Sequence, residues 1–348
     1  MSDLQTGLAL LGTALIAGIF VVSRIREFRG RRLAEQVLPE SDTDVLLDGK
    51  GATTPVRSEP AFGKTRSELL PLSEDASANP AVEFAVILRG DKPVSAADLW
   101  QALIASTITT RGIRWAGLED DGGRWFVIQG PSDHRFDALA AMLQLSNRSG
   151  PVNETRLTLF ADEMRALAQQ LGLNARQGDI PAALTAAVAL DQFCAQVDVL
   201  IGMNVMFPEG GEPTMQAIRR VAEAEGLSLG EDGVFHARDD QQRERFTLAH
   251  RDAAPFLDID VDTSLVSGVT FLLDVPRASD GIAALRDMFS MAERVAGALG
   301  GRVVDDNSTA IGTRQLAAIE RQLTGILQQM DMQGISAGSA LAQRLFSR

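Results

Sequence analysis

Residues 269–275 read Val-Thr-Phe-Leu-Leu-Asp-Val (VTFLLDV), and their alternation decides how the last third of the chain is built. In an extended strand Val269, Phe271, Leu273 and Val275 share one side and are wholly apolar, while Thr270, Leu272 and Asp274 share the other. Downstream, apolar spacing predicts helices over Gly281–Leu299 and Thr313–Gln329 with a short strand, Arg302–Asp305, between them. Upstream it predicts strands over Val197–Val205, Leu227–Leu229, Val234–His236 and Arg245–Ala249, and a helix over Glu212–Glu225. One side of these strands packs on the helices. The other carries Leu200, Gly202, Val234, Ala249, Thr270 and Leu272, which are small or mildly apolar. A contiguous group of that kind on an open sheet face suits two readings, the docking of an apolar peptide segment or a half-exposed sheet with no partner, where scattered single residues would mean nothing.

Between residues 81 and 195 the same rhythm occurs once before. Strands are expected at Phe84–Leu88, Ile113–Leu118, Trp125–Gln129 and Ala141–Leu145, and helices at Ala96–Ser106, Leu157–Leu171 and Ala182–Cys194. LQLSNRSGPV (143–152) also parallels FTLAHRDAAPF (246–256), which makes a weak internal repeat an expectation.

The N-terminal end is of another kind. Leu4–Val22 (LQTGLALLGTALIAGIFVV) holds no charge, and its nineteen residues would rise about 28 Å as a helix, close to the hydrocarbon thickness of a bilayer. Leu10, Leu11, Leu15, Ile16, Ile19 and Phe20 are its lipid-facing candidates. A cleavable signal would place basic residues before the apolar run, and here they follow it: Arg24, Arg26, Arg29, Arg31 and Arg32. The positive-inside rule then sets the N-terminus outside and everything after Ser23 inside, with the arginines within reach of anionic headgroups. Residues 35–80 carry five of the chain's 13 prolines and no persistent apolar period, so they read as a disordered linker.

The 348-residue chain bears a net charge of −13, and its aromatic content is 5% with no Tyr. An acidic surface without stacking platforms argues against a nucleic-acid partner. One cysteine, Cys194, allows no intrachain disulfide, and it reads as a small core residue near a helix end. His134, His236 and His250 are scattered too widely to spell a metal site. Asp305-Asp306 has the surroundings of a solvated turn, and no nucleophile motif or phosphate loop is present. The expectation is a protein with no catalytic residues, no metal, no cofactor and no small-molecule substrate.

GVTFLLDVPRASDGIAALRDMFSMAERVAGALGGRVVDDNSTAIGTRQLAAIERQL (268–323) resembles the C-terminal domain of the ZipA cell-division family. The shared features are a strand ending in Val-Pro, a long helix, Gly-Gly, a valine strand, Asp-Asp and a closing helix. Met203–Val205 and Phe246–Ala249 fit the same pattern, as does the order of anchor, basic collar, linker and globular end.

The resemblance implies an α+β fold of split β-α-β type, an antiparallel sheet with helices on one face, preceded by a single transmembrane helix and the linker. It implies a non-enzymatic adaptor that holds the C-terminal peptide of FtsZ and tethers the Z-ring to the bacterial inner membrane at the division site. The N-terminus would then be periplasmic and the C-terminal domain cytoplasmic. The peptide would meet Leu200, Gly202, Val234, Ala249, Arg251, Thr270 and Leu272. Two positions that are apolar in the family fall on Asp232 and Arg251, which implies a narrower or more polar cleft.

The expected layout is an anchor at 1–23 (helix 4–22), a basic collar at 24–34, the linker at 35–80 and an α+β segment of open role at 81–195. The peptide-binding domain follows at 196–330, and a tail at 331–348. The simple family layout has no counterpart for 81–195. An alternative is therefore a membrane-bound division scaffold or regulator whose main ligand is another protein, held by that segment.

Overall fold

The computed structural model describes residues 79–106, 112–119, 123–252, 255–256 and 264–347. The stretches expected to form the anchor helix and the arginine collar, and nearly all of the expected linker, lie outside these residues. Two compact units divide between Gln192 and Phe193.

In the first unit the chain runs β1 (Glu83–Ser95), α1 (Ala96–Ala105), β2 (Ile113–Glu119), β3 (Arg124–Ile128), β4 (Arg135–Gln144), a small hairpin of β5 (Ser146–Asn147) and β6 (Gly150–Pro151), α2 (Glu154–Gln170) and β7 (Asn174–Gln177). Its five-stranded antiparallel sheet has the order β3-β2-β4-β1-β7. Phe84, Val86 and Leu88 pair with Leu143, Ala141 and Leu139 on one face. Phe84 meets Phe160 of α2 edge-on, with ring centroids 6.1 Å apart. Ser95 caps α1 in a capping box with Asp98, whose carboxyl is held below its ordinary range first by the Ser95 side-chain hydrogen bond.

After α3 (Ile180–Val197), the second unit runs β8 (Leu200–Met206), α4 (Met215–Ala224), β9 (Ser228–Leu229), β10 (Phe235–Arg238), β11 (Glu244–His250), β12 (Gly268–Asp274), α5 (Gly281–Leu299), β13 (Arg302–Val304), α6 (Thr313–Met332) and α7 (Ala340–Leu345). Its six strands lie in the order β13-β8-β12-β11-β10-β9. The core is built from Met203 and Val205 of β8, Leu248 of β11, Val269, Phe271 and Leu273 of β12, and Val303 of β13. These pack with Ile218 of α4 and with Leu285, Met288, Ala292 and Val295 of α5. α5 starts at Asp280, which stands in the left-handed region (φ 51°) and accepts the amide of Ala283, and it ends at Gly300 (φ 73°). Gly301 follows because a Cβ there would lie 2.8 Å from Val205 Cγ1 and 2.9 Å from the Phe207 ring. The α5 face turned from the sheet is covered by α6, whose Leu327 lies beside Gly281.

Several boundaries differ from the sequence reading. Val197 ends α3 instead of opening a strand, because Ala183, Ala187, Leu190, Cys194 and Val197 form one buried helical stripe that continues through the Val-Asp-Val run. α3 is the one described helix with the length and apolarity of a membrane span, and this stripe is the mark of a packed helix of the same length. β1 extends to Ser95 through a register shift between Arg89 and Val94, and β4 begins six residues earlier than expected. β7 was unforeseen: Asn-Ala-Arg-Gln has no apolar alternation, and it exists as an edge strand paired with β1.

Both sheets place their first strand between the strand that precedes the second helix and the last strand: β1 between β4 and β7, β8 between β12 and β13. The parallel between 143–152 and 246–256 does not follow this correspondence. It joins the end of β4 to β11, whereas the strand equivalent to β4 is β12.

Candidate functional site

The sheet register of the second unit shows what its face away from the described helices contains. Leu272 sits between Gly202 and Thr247, Thr270 between Asn204 and Ala249, and Asp274 opposite Leu200. Leu200, Gly202, Ala249, Thr270 and Leu272 therefore share one face, and all are half-buried, whereas their chain neighbours Met203, Leu248, Phe271 and Leu273 are buried in the core. Continuing the β10–β11 register one residue past Phe235 sets half-buried Val234 opposite Ala249. Arg251 stands exposed beyond β11, and its Cδ would lie 3.3 Å from a Cβ built on Gly268. It lies at one end of the same face. All seven residues expected at the site are thus on one surface, with Arg251 at its margin.

The floor is shallow for a local reason. Gly202 stands in β8, at one side of the face, with nothing nearer than 4.0 Å to where its Cβ would be. At Gly268 the side chains of Met206 and Arg251 close over the backbone. With neighbouring strands about 4.8 Å apart, four strands from β8 to β10 span roughly 14 Å, wide enough for one extended peptide.

Of the polar borders, sequence reasoning named Asp232 and Arg251 but not the contacts of Asn204, Asp306 and His236. Buried Asn204 donates to Asp306 Oδ1 (2.9 Å) and accepts from Thr270 Oγ1 (2.7 Å), so a loop carboxylate is tied to the centre of the face. Asp305 meanwhile accepts the amides of Asn307 (2.9 Å) and Thr309 (2.8 Å) as a turn residue. Across the sheet, His236 sits on this face opposite Thr247, with Nδ1 2.6 Å from Glu244 Oε2 and Nε2 3.1 Å from Asp232 Oδ1. Asp232 also accepts the Val234 amide. Asp232 is therefore a turn residue that orients His236, and it sits at the rim. Strand parity would have flagged Thr247 and His236, but the Asn204–Asp306 contact joins residues 102 apart and leaves no local trace.

His250 points to the other side of β11, where its ring lies 6.2 Å from that of Phe256. Burial pushes its pKa down, partly offset by Asp252, whose amide donates to Nδ1 (3.0 Å). It is a packed imidazole at the core edge, not part of the docking face. Among the described residues no group of three His, Cys, Asp or Glu side chains is placed to hold a metal.

The family model described as ZipA, C-terminal FtsZ-binding domain, matches residues 199–322. The match supports a ZipA-type C-terminal domain for these residues. It begins one residue before β8, takes in every strand of the second sheet, and ends within α6. The first unit lies wholly outside it.

Proposed function

We propose that this chain is a membrane-anchored adaptor of bacterial cell division. Its second unit takes the C-terminal peptide of FtsZ across the face formed by Leu200, Gly202, Val234, Ala249, Thr270 and Leu272. The observation that carries this reading is that the residues matched to an FtsZ-binding domain form one complete sheet, and on its side away from the core Leu200, Gly202, Val234, Ala249, Thr270 and Leu272 lie together half-buried. Arg251, exposed at one end, suits a carboxylate on an incoming peptide. No chemistry is asked of the site: recognition rests on apolar contact over a shallow floor, so affinity is modest and set by dissociation.

Leu4–Val22 serves in this reading as the single membrane-crossing helix of the inner membrane, and Arg24–Arg32 hold the cytoplasmic side. The linker leads from there to the folded units. Tethering is then the sum of two functions, one at each end of the chain.

Reconstitution tests both ends. Full-length chain in vesicles should recruit fluorescent FtsZ to the bilayer, and recruitment should disappear when residues 1–34 are removed or when FtsZ lacks its C-terminal peptide. Recruitment that survives loss of the peptide would refute the docking assignment. A second reading, a scaffold with another protein ligand, draws on the first unit, which has its own sheet and helices outside the family match.

A further inference from the structure

The first sheet also has a face that carries no helix among the described residues, and its surroundings differ from those of the second. The registers place Ala85 and Ile87 of β1, Ala138, Ala140 and Met142 of β4, Ala116 and Leu118 of β2, and Trp125 and Val127 of β3 on that side. At its centre Ala116 and Met142 are 0% exposed and Ala140 2%, with Ala85, Ile87 and Trp125 packed around them. These partly buried side chains cover the two small alanines and form the accessible apolar surface of the face. On the equivalent face of the second sheet Gly202, Thr270 and Leu272 are only half-buried, beside buried Asn204.

The rim is basic. Arg89 continues the β1 side of the face, and Arg176 stands opposite Ile87 on β7; both are exposed, and neither forms an ion pair among the described residues. Arg114, two residues before Ala116, is gripped by buried Glu83 through Nε (2.9 Å) and Nη2 (2.6 Å). An occupant should therefore be apolar in the middle and acidic around it.

The chain carries such a segment. Of the 78 residues that precede β1's lead-in, 40–48 read ESDTDVLLD: Val45, Leu46 and Leu47 in a row, flanked by Glu40, Asp42, Asp44 and Asp48 without a basic residue. The intervening residues to Glu83 would span roughly 30–35 Å as a flexible coil, and a tether of that length gives an effective concentration on the order of millimolar. We propose that residues 40–48 dock on this face, with Val45–Leu47 against the partly buried Ala85, Ile87 and Trp125 and the carboxylates toward Arg89 and Arg176. The interaction is intramolecular and independent of the FtsZ reading.

Hydrogen–deuterium exchange on the full-length chain tests it, in detergent, against three controls: the free 40–48 peptide, Leu46→Ser with Leu47→Ser, and Arg89→Glu with Arg176→Glu. Wild-type amides of 42–48 should exchange at least tenfold more slowly than in the free peptide. Both double variants should return them to the free rate while circular dichroism is unchanged. The arginine pair is exposed, so its reversal tests docking without touching the core. Free-peptide exchange in the wild type would overturn the proposal. So would protection that survives both variants, protection of 67–75 in its place, or protection lost on dilution, which would assign the face to a second copy.

Discussion

Leu272 and Leu273 are neighbours in β12, and the same substitution at each should have opposite consequences. Leu273 is 0% exposed among the helices of the core, so Leu273→Asp must bury a carboxylate without a partner. That costs about 5 kcal/mol or more, comparable to the whole stability of a domain. Leu272 is half-buried between Gly202 and Thr247, and in the free chain an Asp there keeps its water. Leu272→Asp should therefore cost the fold only about 0.5–1 kcal/mol. A docked peptide would strip that water, and a loss of about 3 kcal/mol corresponds to roughly 150-fold weaker binding. Thermal unfolding by circular dichroism reads the first quantity, and titration of a labelled FtsZ C-terminal peptide with the full chain reads the second. Wild-type affinity for Leu272→Asp, or equal unfolding by both variants, would refute the reasoning from strand alternation to a docking face.

Three further outcomes are expected. Gly202→Val has room at the floor and suits a strand, so stability by urea titration should change by less than about 1 kcal/mol while peptide binding falls several-fold. His236→Ala leaves Glu244 and Asp232 facing each other without the imidazole, and the midpoint of urea unfolding should drop by an amount worth about 1–3 kcal/mol. His250 has a pKa lowered by burial, so the unfolded chain binds its proton more readily than the folded one. Its contribution is intact above the ordinary histidine range and is lost as pH falls through the folded value. Wild-type Tm should decline on acidification from pH 7.5 to 5.5 more steeply than that of His250→Gln.

How much of this was legible beforehand depends on how each segment divides its two sides. Val269–Val275 separates apolar from mixed residues cleanly, and its face assignment follows from sequence alone. Residues 138–142 (Ala-Leu-Ala-Ala-Met) are apolar on both sides, so no period marks where β4 begins or that its second face is buried. Val197–Val199 satisfies a strand and a helix equally, and the buried stripe along α3 decides for the helix. The site was legible to the extent that strand parity reaches. Asp232 and Arg251 were named at its border, but the Asn204–Asp306 tie was not, because it runs through a loop whose path only the fold defines.

The end of the chain bears on how the protein can be labelled. Ala342, Leu345 and Phe346 are wholly buried, and Gln343 exchanges hydrogen bonds with Arg277 in the segment after β12. A fluorescent protein fused behind Arg348 would begin two residues from a sealed phenyl ring. Microscopy with such a fusion would report on a strained molecule unless a spacer of several flexible residues is inserted first.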